Sequence, residues 1–230
     1  MTREELLKIA KPILFNTDMV MAILDDIKEY TRRIIKGFIP NDAVWGYTIF
    51  TPEGYISCRG TYEGGHGEKF FKLPCQPGNI LYVQEPWCWC PCWDCGMDTV
   101  EGCCDETADK FYNLKKGEMG CYGYKASFED NEQPFDKWYS PRFMPKEAAR
   151  IFLKVKDIRV ERLQDITDVG AEKEGAQPNN PCDYDVQQWP NKEHFKKIWN
   201  STIKKSDLDL YGWDANPWVW AIEFEKLEVE

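Results

Sequence analysis

Gly78-Asn79-Ile80-Leu81-Tyr82-Val83-Gln84-Glu85-Pro86-Trp87 is the stretch on which the reading of this chain turns. The Pro77-Gly78 turn opens it, and Ile80 to Gln84 has the composition of a short strand. Glu85 precedes a proline, which biases its backbone to extended conformations. The strand therefore ends on a carboxylate.

Strand signals recur on both sides. Upstream, Trp45 to Phe50 and Tyr55 to Arg59 read as a hairpin across a Thr51-Pro52-Glu53-Gly54 turn. Earlier still, Asn16 to Lys28 reads as a helix. Asn16 or Thr17 caps it, Asp18 suits its positive end, and Val20, Ile23, Leu24 and Ile27 share one face. Lys28 to Arg33 should then leave the helix as an extended stretch. Downstream, Ile151, Leu153 and Val155, then Ile158 and Val160, alternate as strand residues do. Pro190 to Lys204 reads as an amphipathic helix burying Phe195, Ile198 and Trp199, and Trp218 to Phe224 as a closing strand. Strands interrupted by a few helices predict a mainly β fold with α decoration, an α+β chain.

The 230 residues suit a single domain, and 43% hydrophobic with 14% aromatic residues allow a sizeable core. A formal charge of -10 argues against a non-specific nucleic-acid coat, which rests on Lys and Arg. It leaves room for a nucleoside pocket or a local basic groove. No secretory signal is visible over Met1 to Ala10, and no apolar run approaches the roughly 20 residues of a membrane span. The expectation is a cytoplasmic protein with no membrane partner.

Between Trp87 and about Lys125 neither strand nor helix period is sustained, and this segment reads as a Cys-rich insertion. Six of the ten cysteines cluster within its stretch 88–104: Cys88, Cys90, Cys92, Cys95, Cys103 and Cys104. Clustered cysteines in a cytosolic protein more often bind metal than form disulfides. Cys92-x-x-Cys95 has zinc-knuckle spacing, and Cys103-Cys104 offers a second half. Four thiolates make a closed structural zinc site that orders a segment with little core of its own. The preferred ligands are Cys90, Cys92, Cys95 and Cys103, with Cys88 and Cys104 in reserve. The competing reading is free or disulfide-bonded cysteines. Cys58, Cys75, Cys121 and Cys182 are most simply buried apolar residues.

Several ordered blocks carry a family likeness. Lys11-Pro12-Ile13-Leu14-Phe15 with Lys28-x-x-Thr31-Arg32-Arg33, the Gly78–Trp87 stretch, and Ser140-Pro141-Arg142-Phe143-Met144-Pro145 to Ala148-Ala149-Arg150 are three of them. Arg159-Val160-Glu161-Arg162-Leu163-Gln164-Asp165-Ile166 and Asn216-Pro217-Trp218-Val219-Trp220 complete the set. Together they resemble the ASCH-domain proteins, PUA-like β-barrels, of the type encoded by phages and prophages. The likeness spans most of the chain outside the Cys-rich insertion. It implies a barrel with a cleft that binds RNA or a modified nucleoside. Some small bacterial relatives are amidohydrolases that remove the acetyl group from N4-acetylcytidine. Their Lys, Thr and distant Glu correspond to Lys28, Thr31 and Glu85, and their basic residue to Arg33. This chain departs from the family at Thr31, where many members have Glu, and at Gln84 and Pro86, which flank Glu85.

The residue types suffice for amide hydrolysis. A Thr hydroxyl needs a base, and a lysine whose pKa is lowered by burial or by Arg32 and Arg33 can serve. Glu85 could hold the lysine or protonate the leaving amine, and Arg33 could stabilise an oxyanion. The bland readings are that Lys28 complements a helix end, that Thr31 is an ordinary strand residue, and that Glu85 pairs with Arg33. Trp45, Trp87, Tyr82 and Trp138 could stack on a base or sit in the core. Arg142 could reach a phosphate or base edge, or form a surface ion pair. Three roles compete: a hydrolase of an acylated cytidine, a non-catalytic binder of RNA or a modified base, and a phage-type protein contacting a host protein partner.

Overall fold

The computed structural model describes residues 1–49, 54–92, 110–128, 134, 137–176 and 191–229. Its elements run α1 (Arg3–Ile9), β1 (Lys11–Leu14), α2 (Thr17–Leu24), β2 (Tyr30–Ile34), β3 (Val44–Ile49), β4 (Tyr55–Tyr62), β5 (Gly65–Lys72), β6 (Ile80–Gln84), β7 (Trp87–Pro91), β8 (Phe111–Asn113), β9 (Glu118–Tyr124), β10 (Phe152–Arg162), α3 (Asp168–Glu172), α4 (Asn191–Thr202), α5 (Leu208–Tyr211) and β11 (Trp218–Leu227). The chain is mainly β with helical decoration. Among the described residues no helix is long and apolar enough to cross a membrane.

The central sheet has the order β1-β6-β10-β11-β2. β1 runs parallel to β6, while β10 is antiparallel to both β6 and β11, and β11 to β2. One face of this sheet carries Val83, Leu153, Val155, Ile222 and Phe224, which pack with Val20 and Ile23 of α2 into the main core. The meander β3-β4-β5 closes over that core with Ile56, Trp45 and Phe71. A second cluster, including Leu6, Tyr82, Ala149 and Phe152, lies under α1, and a third, including Leu163, Phe195, Trp199 and Trp213, seats α4.

The expected closed barrel is not what the described strands build: they form three open sheets. The edges of the central sheet, β1 and β2, are joined by a side chain instead of a ladder. The Arg33 guanidinium donates to the Leu14 carbonyl at 2.6 Å. A guanidinium satisfies one carbonyl where strand pairing would satisfy a row.

Helix α2 stops at Leu24, four residues before the expected end. Asp26 turns into the left-handed region with φ 57°, and the N–H groups of Ile27 and Lys28 both fold back onto the Ala22 carbonyl at 2.9 Å. That reversal aims Lys28 into the molecule. The expected hairpin is present as β3 and β4, with its turn residues 50–53 outside the described set.

The Cys-rich segment also differs from expectation. Trp87–Pro91 is a regular strand paired with Glu118–Tyr124, and Phe111–Asn113 adds a third. The 87–125 segment thus carries its own small sheet. Its strand period was hidden because both alternating residue types, Trp and Cys, count as apolar.

Candidate functional site

Lys28 sits between the end of α2 and the start of β2, with its side chain fully enclosed. Its amine donates to the carbonyl and to the carboxylate of Glu174, each at 2.7 Å. Burial lowers the Lys28 pKa, Glu174 opposes the shift, and Arg33 and Arg32 reinforce it. Arg32, also buried, takes the other Glu174 oxygen at 3.0 Å and bonds Glu161 through Nε at 2.7 Å. Glu161 in turn meets Arg159 at 3.2 Å. Glu174 is thus the hinge of a charge chain in which two buried cations share one carboxylate.

Glu174 reaches this place through local chain geometry. Thr167 caps α3 by accepting from Gly170, and the helix ends at Glu172, two residues before Glu174. Gly175 then adopts φ +85°, and a Cβ there would stand 2.9 Å from the Cβ of Ala22. Only glycine lets the chain turn left-handed this close to α2.

Beside this network lies a cavity of about 350 Å³. Its polar lining includes Thr31, Arg32, Arg33, Arg142, Glu174 and Thr202, and its aromatic lining is Phe15, Phe195 and Trp199. Thr31 is buried from the outer surface, yet among the described residues its hydroxyl has no hydrogen-bond partner. Arg33 lies 5.1 Å over the Phe15 ring, and burial lowers its pKa while Glu174 opposes. A guanidinium stays charged regardless. Arg142 sits on the single 3-10 turn Pro141–Phe143 and is exposed at the cavity wall. The wall and the Lys28 behind it carry four cations against Glu174 and Glu161, a local positive excess on an acidic chain.

The structure keeps three of the expected residues together: Thr31, Arg33 and Arg142 line the cavity, and Lys28 is one hydrogen bond away through Glu174. Glu85 is elsewhere. Its carboxylate is fully buried and held by both Arg150 nitrogens at 2.9 Å, and Arg150 also bonds Ser127 and covers the Tyr124 ring. Glu85 neither lines the cavity nor pairs with Arg33, because Pro86 turns the chain and puts its own ring at the cavity wall. The carboxylate beside Lys28 is Glu174. A glutamate followed by a glycine, closing a capped short helix, was the available signal, but nothing local tied it to Lys28.

The expected stacking rings are also displaced. Trp45 packs on Phe71, Trp218 and Trp220 at 5.3, 5.6 and 6.3 Å and belongs to the core. Trp87 stacks on Tyr139 at 4.8 Å, Trp138 meets Phe128 edge-on at 5.0 Å, and Tyr82 is buried under α1. None of the four lines the cavity; Phe15, Phe195 and Trp199 do.

Of the expected zinc ligands, Cys95 and Cys103 lie outside the described residues, as do Cys104 and Cys182. Cys90 is on β7 and Cys92 follows it. Cys121 is not a buried apolar residue: it faces Cys90 across the β7–β9 ladder and hydrogen-bonds it. That bond favours the Cys90 thiolate, but Cys88 and burial outweigh it and push the thiol up to about 11. Cys58 and Cys75 are buried as expected. Among the described residues no three His, Cys, Asp or Glu side chains already stand in ligand geometry for a metal ion.

No family model matches the chain, and no curated protein and no solved structure matches it either, so the reading of the site rests on its own geometry.

Proposed function

We propose that the Thr31–Glu174 cavity binds a modified pyrimidine nucleoside, free or within RNA, and that the protein is an amidohydrolase acting on an N4-acylated cytidine. The observation that carries this reading is the Lys28–Glu174 pair at 2.7 Å, with Glu174 and the unbonded Thr31 hydroxyl on one cavity wall. The resemblance to ASCH-domain proteins supports it for Lys28 and Thr31; the carboxylate beside Lys28 is Glu174, in place of the Glu85 that the resemblance implies.

In this reading Phe195 and Trp199 give a planar base one aromatic wall. The Thr31 hydroxyl attacks the acyl carbonyl carbon, and its proton passes to the Lys28–Glu174 pair, whose lysine burial has made a weaker acid-holder. Arg33 meets the oxyanion. The carbon–nitrogen bond then breaks, and the pair returns the proton to the leaving exocyclic amine. Water cleaves the acyl-threonine ester, releasing the carboxylic acid and the free hydroxyl.

A second reading is favoured by one observation: the Lys28 amine spends both visible bonds on Glu174 and is fully enclosed. A non-catalytic binder of a modified base, or a phage-type protein using the site to contact a host partner, needs no more than that. The test is turnover of N4-acetylcytidine by wild type, Lys28→Ala, Thr31→Val, Glu174→Gln and Glu85→Gln. Cytidine from wild type and Glu85→Gln, lost in the other three, supports the hydrolase. Nucleoside binding without product in the wild type supports the binder.

A further inference from the structure

Asn16 lines the same cavity as the buried, unbonded Thr31 hydroxyl. It stands immediately before α2, and its Oδ1 accepts from the Met19 N–H at 2.9 Å as the helix cap. Only the oxygen of an amide can accept from an N–H, so the cap fixes which way this amide faces. A flipped amide would set NH2 against N–H and leave the helix uncapped. The end left over is Nδ2, a pure donor, and among the described residues it has no hydrogen-bond partner. The backbone beside it is held as well. Phe15 donates its N–H to the Gln84 carbonyl at 3.0 Å and puts its ring on the cavity wall. The cavity around this amide is rich in donors. The guanidinium groups of Arg32, Arg33 and Arg142 only donate. Glu174, the acidic residue on the wall, has one oxygen on Lys28 and the other on Arg32.

We propose that Asn16 selects the ring, donating from Nδ2 into the N3–O2 edge of a cytosine-type base and rejecting a uracil-type base. This inference rests on the reading of the cavity as a pyrimidine nucleoside site. Cytosine carries two neighbouring acceptors, N3 and O2. Uracil carries an N–H at position 3, which meets the amide donor face to face. Two donors pointed at each other leave both unpaired, and a site built on a hydrogen bond discriminates strongly against the partner that cannot make it. An acyl group on the exocyclic amine leaves N3 and O2 untouched, so one contact serves both the acylated base and the free one. The cap makes the donor pre-set, because turning the amide to accept from uracil would break the bond to Met19.

The experiment is calorimetric titration of cytidine, uridine and 3-deazacytidine into wild type, Asn16→Asp and Asn16→Ser, with melting midpoints alongside. Both substitutions keep an oxygen that caps α2, so folding is expected to hold. Wild type should bind cytidine about tenfold or more tightly than uridine, and also than 3-deazacytidine, which lacks only the N3 acceptor. Asn16→Asp exchanges the donor for an acceptor and should reverse the cytidine–uridine preference. Asn16→Ser, with no amide, should erase it. The 3-deazacytidine comparison needs no variant and decides the matter even if both variants misfold. Equal wild-type affinity for cytidine and 3-deazacytidine, or a folded Asn16→Asp protein that still prefers cytidine, overturns this inference and leaves the nucleoside site standing. A wild type that binds none of the three nucleosides overturns both.

Discussion

Lys28 and Glu174 are 146 residues apart in sequence and 2.7 Å apart in the fold. Glu174 bonds Arg32 with its second oxygen, so this one carboxylate neutralises two buried cations. Removing it strands the Lys28 ammonium and leaves Arg32 with Glu161 alone. Glu174→Gln is expected to lower unfolding free energy by about 3–5 kcal/mol, the range for breaking a buried pair from one side. Lys28→Met should cost clearly less, because Glu174 keeps Arg32. Urea unfolding of the two variants decides this, and equal losses would mean that Arg32 does not need Glu174.

A similar asymmetry is expected at Glu85 and Arg150. The Glu85 side chain is fully buried, whereas Arg150 is 28% exposed. Arg150→Met leaves a carboxylate with no solvent and no partner. Glu85→Gln leaves a guanidinium that reaches water and still bonds Ser127. Arg150→Met should therefore destabilise by about 3–5 kcal/mol, and Glu85→Gln by less. Chemical denaturation gives the order, and neither change should abolish turnover in a folded sample.

Lys28 also gives stability a pH dependence of known sign. Its pKa in the fold lies below the ordinary 10.5 because burial opposes the charge. Between the folded pKa and 10.5 the unfolded chain holds the proton more tightly, so this group's contribution rises with pH. Tyr30 and Cys75 act oppositely. Burial raises both, Cys75 to about 11, and they make stability fall once the unfolded groups ionise. The informative quantity is therefore wild type minus Lys28→Met, in which the other groups cancel. That difference should grow from pH 7 to 10; a flat or falling difference would show that Glu174 wins over desolvation.

Arg142 separates binding from folding. Among the described residues it has no ion pair or hydrogen bond, and it lies exposed at the cavity wall. Surface changes of this kind leave stability almost unmoved. Arg142→Ala should keep the wild-type melting midpoint while weakening a 5′-phosphorylated nucleoside more than the unphosphorylated one. Calorimetric titration of the two ligands tests it, and equal weakening would place Arg142 on the base instead.

Much of the frame was legible from apolar patterning. Ile80–Gln84 was read at its observed bounds, and β10, β11 and α4 came within a few residues, because each carries a dense run of buried side chains. β5 was not anticipated: its residues are mostly exposed and it exists through pairing with β4. α1 was hidden by its charges, though Thr2 and Glu5 form a capping box. At the site, Lys28, Thr31, Arg33 and Arg142 were legible, and Glu174 was not. Which carboxylate meets Lys28 depends on how the turn after α3 lies against the end of α2, and no local pattern encodes that. The tryptophans failed for a related reason. Composition shows that rings are present, but packing decides which face a cavity.

Gly175 links that docking to chemistry. Its φ of +85° is strained for any side chain, and an added Cβ would press on Ala22 at 2.9 Å. Both α2 and the turn are backbone-anchored there: Ala22 already accepts from Ile27 and Lys28. Neither partner can yield without moving Lys28 or Glu174. Gly175→Ala should therefore destabilise the fold by more than about 1 kcal/mol. In the fraction that stays folded it should also lower kcat with little change in KM, since Phe195, Trp199 and Arg142 remain in place. Activity assays below the variant's melting midpoint check this. A Gly175→Ala protein with wild-type kcat would show that the Lys28–Glu174 distance is not what the chemistry depends on.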